Sequence, residues 1–116
     1  MIDLKGRIDL SHGAGGRATM RLVTEIFHAA FDNAWLRRGD DSAICAARGR
    51  RIAISTDAFV VSPLFFPGGD IGALAVHGSI NDVAMSGAQP AYLSASFVIE
   101  EGFLIHDLER IARSMG

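Results

Sequence analysis

The stretch "GGDIGALAVHGSINDVAMSGAQP", residues 68–90, contains one complete helix with polar residues near its end. Asp70 is a suitable N-cap residue, and Gly87 is a suitable stop for a helix from Ile71 to about Ser86. The other positions are mostly apolar, so burying the amide of Asn81 or the carboxylate of Asp82 without a partner would be costly. These two side chains either meet solvent or hold a ligand.

Apolar patterns on both sides of this helix predict further strands and helices. Asp57 ends a continuous β-branched run abruptly, which is typical of the end of a buried strand. Glu100, Glu101 and Gly102 form a predicted turn. The predicted elements are a helix over 18–31, a strand over 51–56, a loop over 62–70, a strand over 91–99 and a helix over 104–115. Strands separated by helices predict an α/β (α+β) fold, with one domain over residues 1–116.

Composition gives few hints about partners. The chain has 116 residues and a net charge of -2, which argues against a nucleic-acid-binding surface and gives no reason to expect a membrane surface. No apolar run approaches the roughly 20 residues that a membrane span needs, and the first residues do not resemble a secretory signal. The single cysteine, Cys45, excludes an internal disulfide and is expected to be a small buried hydrophobe. We therefore expect a cytoplasmic protein.

The glycine-rich segment "SHGAGGR", residues 11–17, precedes the first predicted helix. Glycines at this place let backbone N–H groups approach an anion near a helix N-terminus. A plain tight turn is the simpler interpretation of the glycines alone. His12 is a candidate phosphate contact or acid, although a lone histidine is more often structural.

Carboxylates from separate segments are candidate Mg²⁺ ligands, because Mg²⁺ bound to nucleotide phosphates typically takes one or two carboxylates and several waters. The candidates are Asp40, Asp41, Asp57 and Asp82. Asp40 and Asp41 also fit an ordinary turn, and Asp82 also fits a solvent-facing stripe with His77 and Asn81. Gly78 lies one turn before Asp82, so a bulky ligand is expected to pack on that bare helix surface. Glu100 and Glu101 are candidate general bases, or solvated turn residues.

Taken together, the motifs "LSHGAGGR", "TDAFVVSPLFFPGGDIGALAV", "NDVAMSGAQPAYLS" and "FVIEEGF" resemble the HypE family of hydrogenase expression/formation proteins. That family is part of the superfamily that includes aminoimidazole ribonucleotide synthetase, thiamine-monophosphate kinase and selenophosphate synthetase. The resemblance extends from about Ile8 to Met115. It implies the N-terminal domain of that fold, a mixed sheet flanked by helices, and a homodimer formed through the sheets.

The resemblance also implies ATP-dependent dehydration of a thiocarbamate on a C-terminal cysteine, which yields the thiocyanate that supplies cyanide to a nickel-iron hydrogenase. ATP and Mg²⁺ would be the cofactors, and the partners would be the carbamoyltransferase HypF and the scaffold proteins HypC and HypD. The catalytic residue stays unassigned, with Glu100, Glu101 and His12 as candidates. Carried over to matching positions, the metal ligands are Asp41, Asp57 and Asp82, and the nucleotide contacts are His12, Gly13, Gly15, Gly16, Asp40, Asn81 and Asp82.

Two alternatives stay open from the sequence. The first is another ATP-using member of the superfamily, such as a small-molecule kinase. The second is a dimerisation fragment without catalysis of its own, because the family's second domain and its terminal cysteine are not in this sequence. On this expectation the 116-residue chain alone does not turn over.

Overall fold

The computed structural model of the chain describes residues 1–49 and 51–116. These residues form two units, which we call the first unit, Met1–Ala43 with Phe97–Gly116, and the second unit, Ile44–Ser96. That residues 1–116 act as one functional domain stays a prediction.

The described part of the chain contains mainly helices and one short hairpin. In chain order the elements are a 3₁₀ helix (Leu10–Gly13), α1 (Arg17–Leu22), a π-helical segment (Val23–His28), α2 (Ala29–Phe31), α3 (Ala34–Arg38), β1 (Phe65–Phe66), β2 (Gly69–Asp70), α4 (Ile71–Met85) and α5 (Ile105–Met115). The predicted helix over 18–31 is confirmed as the continuous run from α1 to α2. The predicted helices at the end of the chain and after Asp70 are confirmed as α5 and α4.

The core of the first unit lies between the α1 to α2 run and α5. Its buried side chains are Ile8, Leu22, Ile26, Ile105, Leu108 and Ala112. Three half-buried rings pack beside them, with the centroids of Phe27 and Phe97 4.5 Å apart and those of Phe31 and Phe97 6.4 Å apart. The apolar stripe of α5 predicts this burial, since residues three and four apart share one helix face.

The two chain portions of the first unit are joined by backbone hydrogen bonds. The Ile8 N–H donates to the Phe103 carbonyl at 2.8 Å, and the Gly102 N–H donates to the Ile8 carbonyl at 2.7 Å. Two residues away on each chain portion, the Ile105 N–H donates to the Gly6 carbonyl at 3.1 Å. The predicted turn before Phe103 is confirmed, and Gly102 takes the left-handed φ of +86° that it needs.

In the second unit, a hairpin leads into α4. Phe65 pairs with Asp70 and Phe66 pairs with Gly69 in an antiparallel register. The predicted loop over 62–70 therefore contains a short hairpin that was not predicted, because Gly68 at φ +94° allows a tight turn that lets the flanking residues pair. The Asp70 carboxylate accepts from the Ala73 N–H at 2.9 Å, which confirms the predicted N-cap of α4.

A side chain of the second unit occupies the helix surface at Gly78. A Cβ atom built on Gly78 would lie 2.7 Å from the ring of Phe59. The expectation that this bare surface receives a ligand is therefore corrected, because an aromatic ring of the same unit already packs there. Gly78 is needed here for the close approach of that ring rather than for backbone freedom.

The predicted strands over 51–56 and 91–99 form no ladder within the residues that the structure describes. Ile52 and Ile54 are 70% and 87% exposed, and Val98 is fully exposed. The apolar pattern fits a strand, but a strand exists only where another segment accepts its backbone hydrogen bonds. Phe97 and Ile99 instead pack against the core of the first unit.

The prediction that Cys45 is a buried hydrophobe is wrong, since the thiol is free and exposed. Its apolar neighbours suggested burial, but Ile44 beside it is itself 81% exposed. Separately, none of the helices within the described ranges is long and apolar enough to cross a membrane.

We expect Ile26→Ala to destabilise the chain by about 3 kcal/mol, because Ile26 is 2% exposed and its truncation leaves a cavity in the core of the first unit. Urea unfolding followed by circular dichroism measures the change. Leu10→Ala is the matched control, since that side chain lies in the same unit and is 79% exposed. Equal midpoints for the two variants would contradict the assigned core.

Gly78→Ala is expected to lower stability by about 1 kcal/mol, although alanine is the better helix former by a similar amount, because the new methyl group displaces the Phe59 ring. The same substitution made in a Phe59→Leu background should be stabilising, since the ring edge is gone. A double-mutant cycle in urea measures the coupling. A stabilising Gly78→Ala in the parent chain would rule out the contact.

Candidate functional site

The glycine loop of the first unit, residues 13–16, follows a 3₁₀ helix that is capped at its start. The Asp9 carboxylate accepts hydrogen bonds from the backbone N–H and the hydroxyl of Ser11, the first of them at 2.9 Å. The Asp9 N–H donates in return to Nδ1 of His12 at 3.2 Å, which completes a capping box. The start of the short helix is therefore fixed by side-chain hydrogen bonds.

This network also sets the ionisation of Asp9. The hydrogen bonds from Ser11, with a smaller contribution from His12, hold the pKa of the Asp9 carboxyl below its ordinary value of 3.8. The stabilisation from this cap is therefore complete above pH 3.8 and is lost as the pH falls through the lower folded-state pKa. At neutral pH the cap is intact.

Thr19 holds the glycine loop from the other side. The Gly15 N–H donates to Thr19 Oγ1 at 2.9 Å, and that hydroxyl donates to the Ser11 carbonyl at 3.3 Å. Gly15 has φ +78°, a conformation that L side chains rarely adopt. The N–H of Gly15, predicted to face a ligand, is thus used within the loop itself.

The start of α1 leaves backbone donors for a ligand. Gly16 is the N-cap residue, and no side chain of the described residues caps the helix there. The first N–H groups of a helix have no partner inside it, and the helix continues from Arg17 to Phe31. The predicted contact residues Gly13 and Gly16 are exposed. The loop therefore presents N–H groups in the arrangement that suits an oxyanion.

The two adjacent aspartates after α3 have different surroundings. Asp40 Oδ2 lies 3.0 Å from Nε of Arg38, so its charge is already paired. Asp41 is exposed, and within residues 1–49 and 51–116 it has no cationic partner within 4 Å. Of this pair, Asp41 is the better candidate metal ligand.

Asp57, Asn81 and Asp82 lie in the second unit and are all exposed. Asp57 Oδ1 accepts from the Ala58 N–H at 2.8 Å. Asp82 lies in the last turn of α4, and His77, earlier in the same helix, is exposed as well. The polar residues that interrupt the apolar helix therefore meet solvent in this chain. They stay available to a ligand.

The candidate metal ligands are not gathered in one ready-made cluster. Asp41 belongs to the first unit, whereas Asp57 and Asp82 belong to the second. Across the described ranges, no group of three or more His, Cys, Asp or Glu side chains is arranged to hold a metal ion. The donor type still fits Mg²⁺, since exposed carboxylates without ion-pair partners are the ligands this ion takes. Shared metal binding by the three aspartates stays a prediction.

Glu100 and Glu101, the candidate bases, are exposed at the turn before α5. The Glu100 carbonyl accepts from the Phe103 N–H at 3.2 Å, so its backbone is used in the turn. Both carboxylates are free of ion pairs to the described residues. The surroundings of Glu100 and Glu101 therefore do not mark either residue as a general base.

Two residues that hold this loop, Asp9 and Thr19, were not predicted from the sequence. Asp9 has a detectable signal, since an aspartate three residues before a polar side chain is one form of a capping box. Thr19 has no comparable signal, because its hydroxyl reaches Ser11 eight residues earlier only after the loop has folded.

Residues 39–116 match the family model described as AIR synthase related protein, N-terminal domain. The chain is 68% identical over 111 residues to the carbamoyl dehydratase HypE of Rhizobium leguminosarum bv. viciae, covering 96% of this chain and 32% of that protein. It is 48% identical over 113 residues to the HypE of Escherichia coli K12, covering 93% of this chain and 34% of that protein. The chain thus spans about a third of the length of the curated relatives it matches.

A solved structure is also similar. The crystal structure of hydrogenase maturation protein HypE in complex with ATP superimposes with a TM-score of 0.88 at 51% sequence identity, covering 91% of this chain and 31% of that one. This similarity and the family match agree with the α/β class predicted from the sequence. The chain belongs to the family of AIR synthase related proteins, as their N-terminal domain.

Proposed function

We propose that this chain is the nucleotide-binding part of an ATP-dependent carbamoyl dehydratase that acts in the maturation of nickel-iron hydrogenases. The observation that carries the proposal is the 51% identity, with a TM-score of 0.88, to a HypE structure that contains ATP. Relatives named carbamoyl dehydratase HypE support the reaction class. The chain spans about a third of the length of these relatives, so the activity is proposed for a longer protein of which this chain is a part.

The proposed reaction explains why ATP is required. In a thiocarbamate, S–C(=O)–NH₂, the carbonyl oxygen is a poor leaving group. Transfer of the γ-phosphoryl group of ATP to this oxygen, with loss of one N–H proton to a base, gives an O-phosphorylated imidate and ADP. Loss of phosphate and of the second N–H proton then leaves the thiocyanate, S–C≡N. One ATP is consumed, and no oxidant or reductant is required.

The glycine loop is suited to the phosphate end of the nucleotide. Its conformation is fixed by Thr19 and Asp9 before any ligand arrives, so little ordering cost falls on binding. The uncapped start of α1 supplies N–H donors, and charge that builds on a transferred phosphoryl group is stabilised by such fixed donors. In this proposal His12, Gly13 and Gly16 contact phosphate, while Gly15 shapes the loop.

The exposed aspartates are proposed to hold Mg²⁺ with the nucleotide. Asp41, Asp57 and Asp82 would provide carboxylate oxygens, and the ion would offset the charge of the triphosphate. Asp40 and Asn81 would support them. For Asp40 this role is limited, because its carboxylate is already paired with Arg38.

The partners follow from the same proposal. A carbamoyltransferase, HypF, would load the thiocarbamate, and the scaffold proteins HypC and HypD would receive the cyanide. Consumption of ATP is consistent with a cytoplasmic setting.

A second candidate function is dimerisation, and a separate observation favours it. The segments 51–56 and 91–99 keep exposed apolar side chains and form no ladder within the described residues. A second copy of this chain would supply backbone partners and cover Ile52 and Ile54. We propose a homodimer formed through these segments.

Asp82→Asn is expected to weaken binding of a non-hydrolysable ATP analogue by roughly tenfold or more in the presence of Mg²⁺, because one anionic metal ligand is lost. Isothermal calorimetry of the 116-residue chain measures the affinity. Without Mg²⁺ the parent and the variant should bind equally weakly.

Asp107→Asn is the matched control, since it removes the same charge from α5. This variant should bind like the parent. No detectable binding by the parent chain would reject the nucleotide role, and equal losses in the two variants would reject Asp82 as a ligand.

Ile54→Lys is expected to shift the chain from dimer to monomer in sedimentation velocity, because a charge in the paired segment would have to be buried. Leu10→Lys is the control, since Leu10 is 79% exposed in the 3₁₀ helix of the first unit. A monomeric parent chain at micromolar concentration would exclude the proposed homodimer.

A further inference from the structure

A cavity of about 220 Å³ lies in the first unit beside the glycine loop. Its wall includes the apolar side chains of Ile2 and Ile105, and its charged or titratable residues are Asp3, Arg7, His12 and Arg21. None of these residues except His12 entered the predicted nucleotide site. The cavity wall therefore contains two arginines together with His12, the residue that directly precedes the glycine loop.

The two ring nitrogens of His12 have different surroundings. The backbone N–H of Asp9 donates to Nδ1, so Nδ1 carries a lone pair in the neutral ring and the proton lies on Nε2. In the charged ring both nitrogens carry protons, and Nδ1 then donates to the Asp9 carboxylate at 3.1 Å. Nε2 is therefore a hydrogen-bond donor in both states.

The Nε2 donor has no hydrogen-bond partner in the part of the chain that the structure describes. The His12 side chain is only 14% exposed, yet none of the described residues forms a hydrogen bond with Nε2. Among the described residues, every fully buried side-chain polar atom has a hydrogen-bond partner, so Nε2, which has none, is partly accessible to solvent. The ring is thus held in the cavity wall with one N–H group still accessible.

The two arginines of the cavity wall have different partners. Nη1 of Arg7 donates to the Gly102 carbonyl at 2.7 Å, and a neutral partner leaves the charge in place. Nε of Arg21 lies 3.9 Å from Glu25, which also accepts from the Ile2 N–H and lies 3.7 Å from the N-terminal ammonium. Asp3 is the one carboxylate in the cavity wall and accepts from the Lys5 N–H.

We propose that this cavity is a phosphate subsite, in which Nε2–H of His12 donates to a phosphate oxygen and Arg7 and Arg21 supply the positive charge. A phosphate group is favoured because two guanidinium groups and one fixed N–H donor match its oxygens and its charge. The group comes either from the bound nucleotide or from free inorganic phosphate. The first source rests on the proposed nucleotide function, and the second does not.

The test uses ¹H–¹⁵N imidazole correlation spectra of the 116-residue chain during two titrations, one with inorganic phosphate and one with the Mg²⁺ complex of a non-hydrolysable ATP analogue. At least one titration is expected to shift the Nε2 resonance of His12. Arg21→Gln should weaken that binding roughly tenfold. Arg113→Gln, which removes the same charge from the exposed face of α5, should leave it unchanged.

Two substitutions of His12 separate a ligand role from a structural one. His12→Asn keeps an acceptor for the Asp9 N–H near the place of Nδ1 and loses the donor in the cavity. His12→Gln places an amide N–H near the position of Nε2. If His12 binds phosphate, His12→Gln retains more affinity than His12→Asn, whereas a purely structural role gives the opposite order.

Each outcome of the titrations decides one of the two proposals. A shift with the analogue alone assigns the subsite to the nucleotide. A shift with inorganic phosphate from a chain that does not bind the analogue supports the subsite and rejects the nucleotide role. If calorimetry shows that the analogue binds but neither titration shifts the His12 resonance, the subsite is rejected and the nucleotide role is kept. Equal losses of affinity in Arg21→Gln and Arg113→Gln reject the subsite as well.

Discussion

The first unit depends on the backbone pairing of residues 4–8 with residues 102–106. Four hydrogen bonds, of 2.7 to 3.1 Å, join two chain portions that are about 95 residues apart, and they place Ile8 and Ile105 in the same core. The glycine loop starts only a few residues after Ile8. Gly6, Arg7 and Ile105, which lie in the paired portions, also line the cavity, so the same pairing brings the walls of the cavity together.

Local patterns were sufficient to predict the run from α1 to α2, α4 and α5, but the 3₁₀ helix and α3 were not predicted. Asp70 and Gly87 mark the ends of α4, and the spacing of Ile105, Leu108 and Ala112 marks the buried face of α5. These signals operate within one or two turns of a helix, where the backbone hydrogen bonds are also local. The glycine loop before α1 was recognised for the same reason, since its residues and the helix start are adjacent in the chain.

Features that depend on distant partners were not predictable. The apolar run over 51–56 has the composition of a strand, but composition cannot identify the segment that accepts its hydrogen bonds. Cys45 has apolar neighbours in the sequence and is nevertheless exposed, and Gly78 is covered by Phe59, nineteen residues earlier. The site shows the same limit, because the cap from Asp9 has a sequence signal whereas the bond from Thr19 to Ser11 has none.

The glycine loop satisfies its own polar groups before it meets a ligand, and this restricts which groups remain for binding. Gly15 uses its N–H on Thr19, and His12 uses Nδ1 on Asp9. Among the described residues, Nε2 of His12 and the uncapped N–H groups at the start of α1 remain. A loop of free glycines would lose much backbone entropy on binding, whereas this loop is already ordered. For the proposed binding, we therefore expect the residues that hold the loop to matter as well as those that contact the ligand.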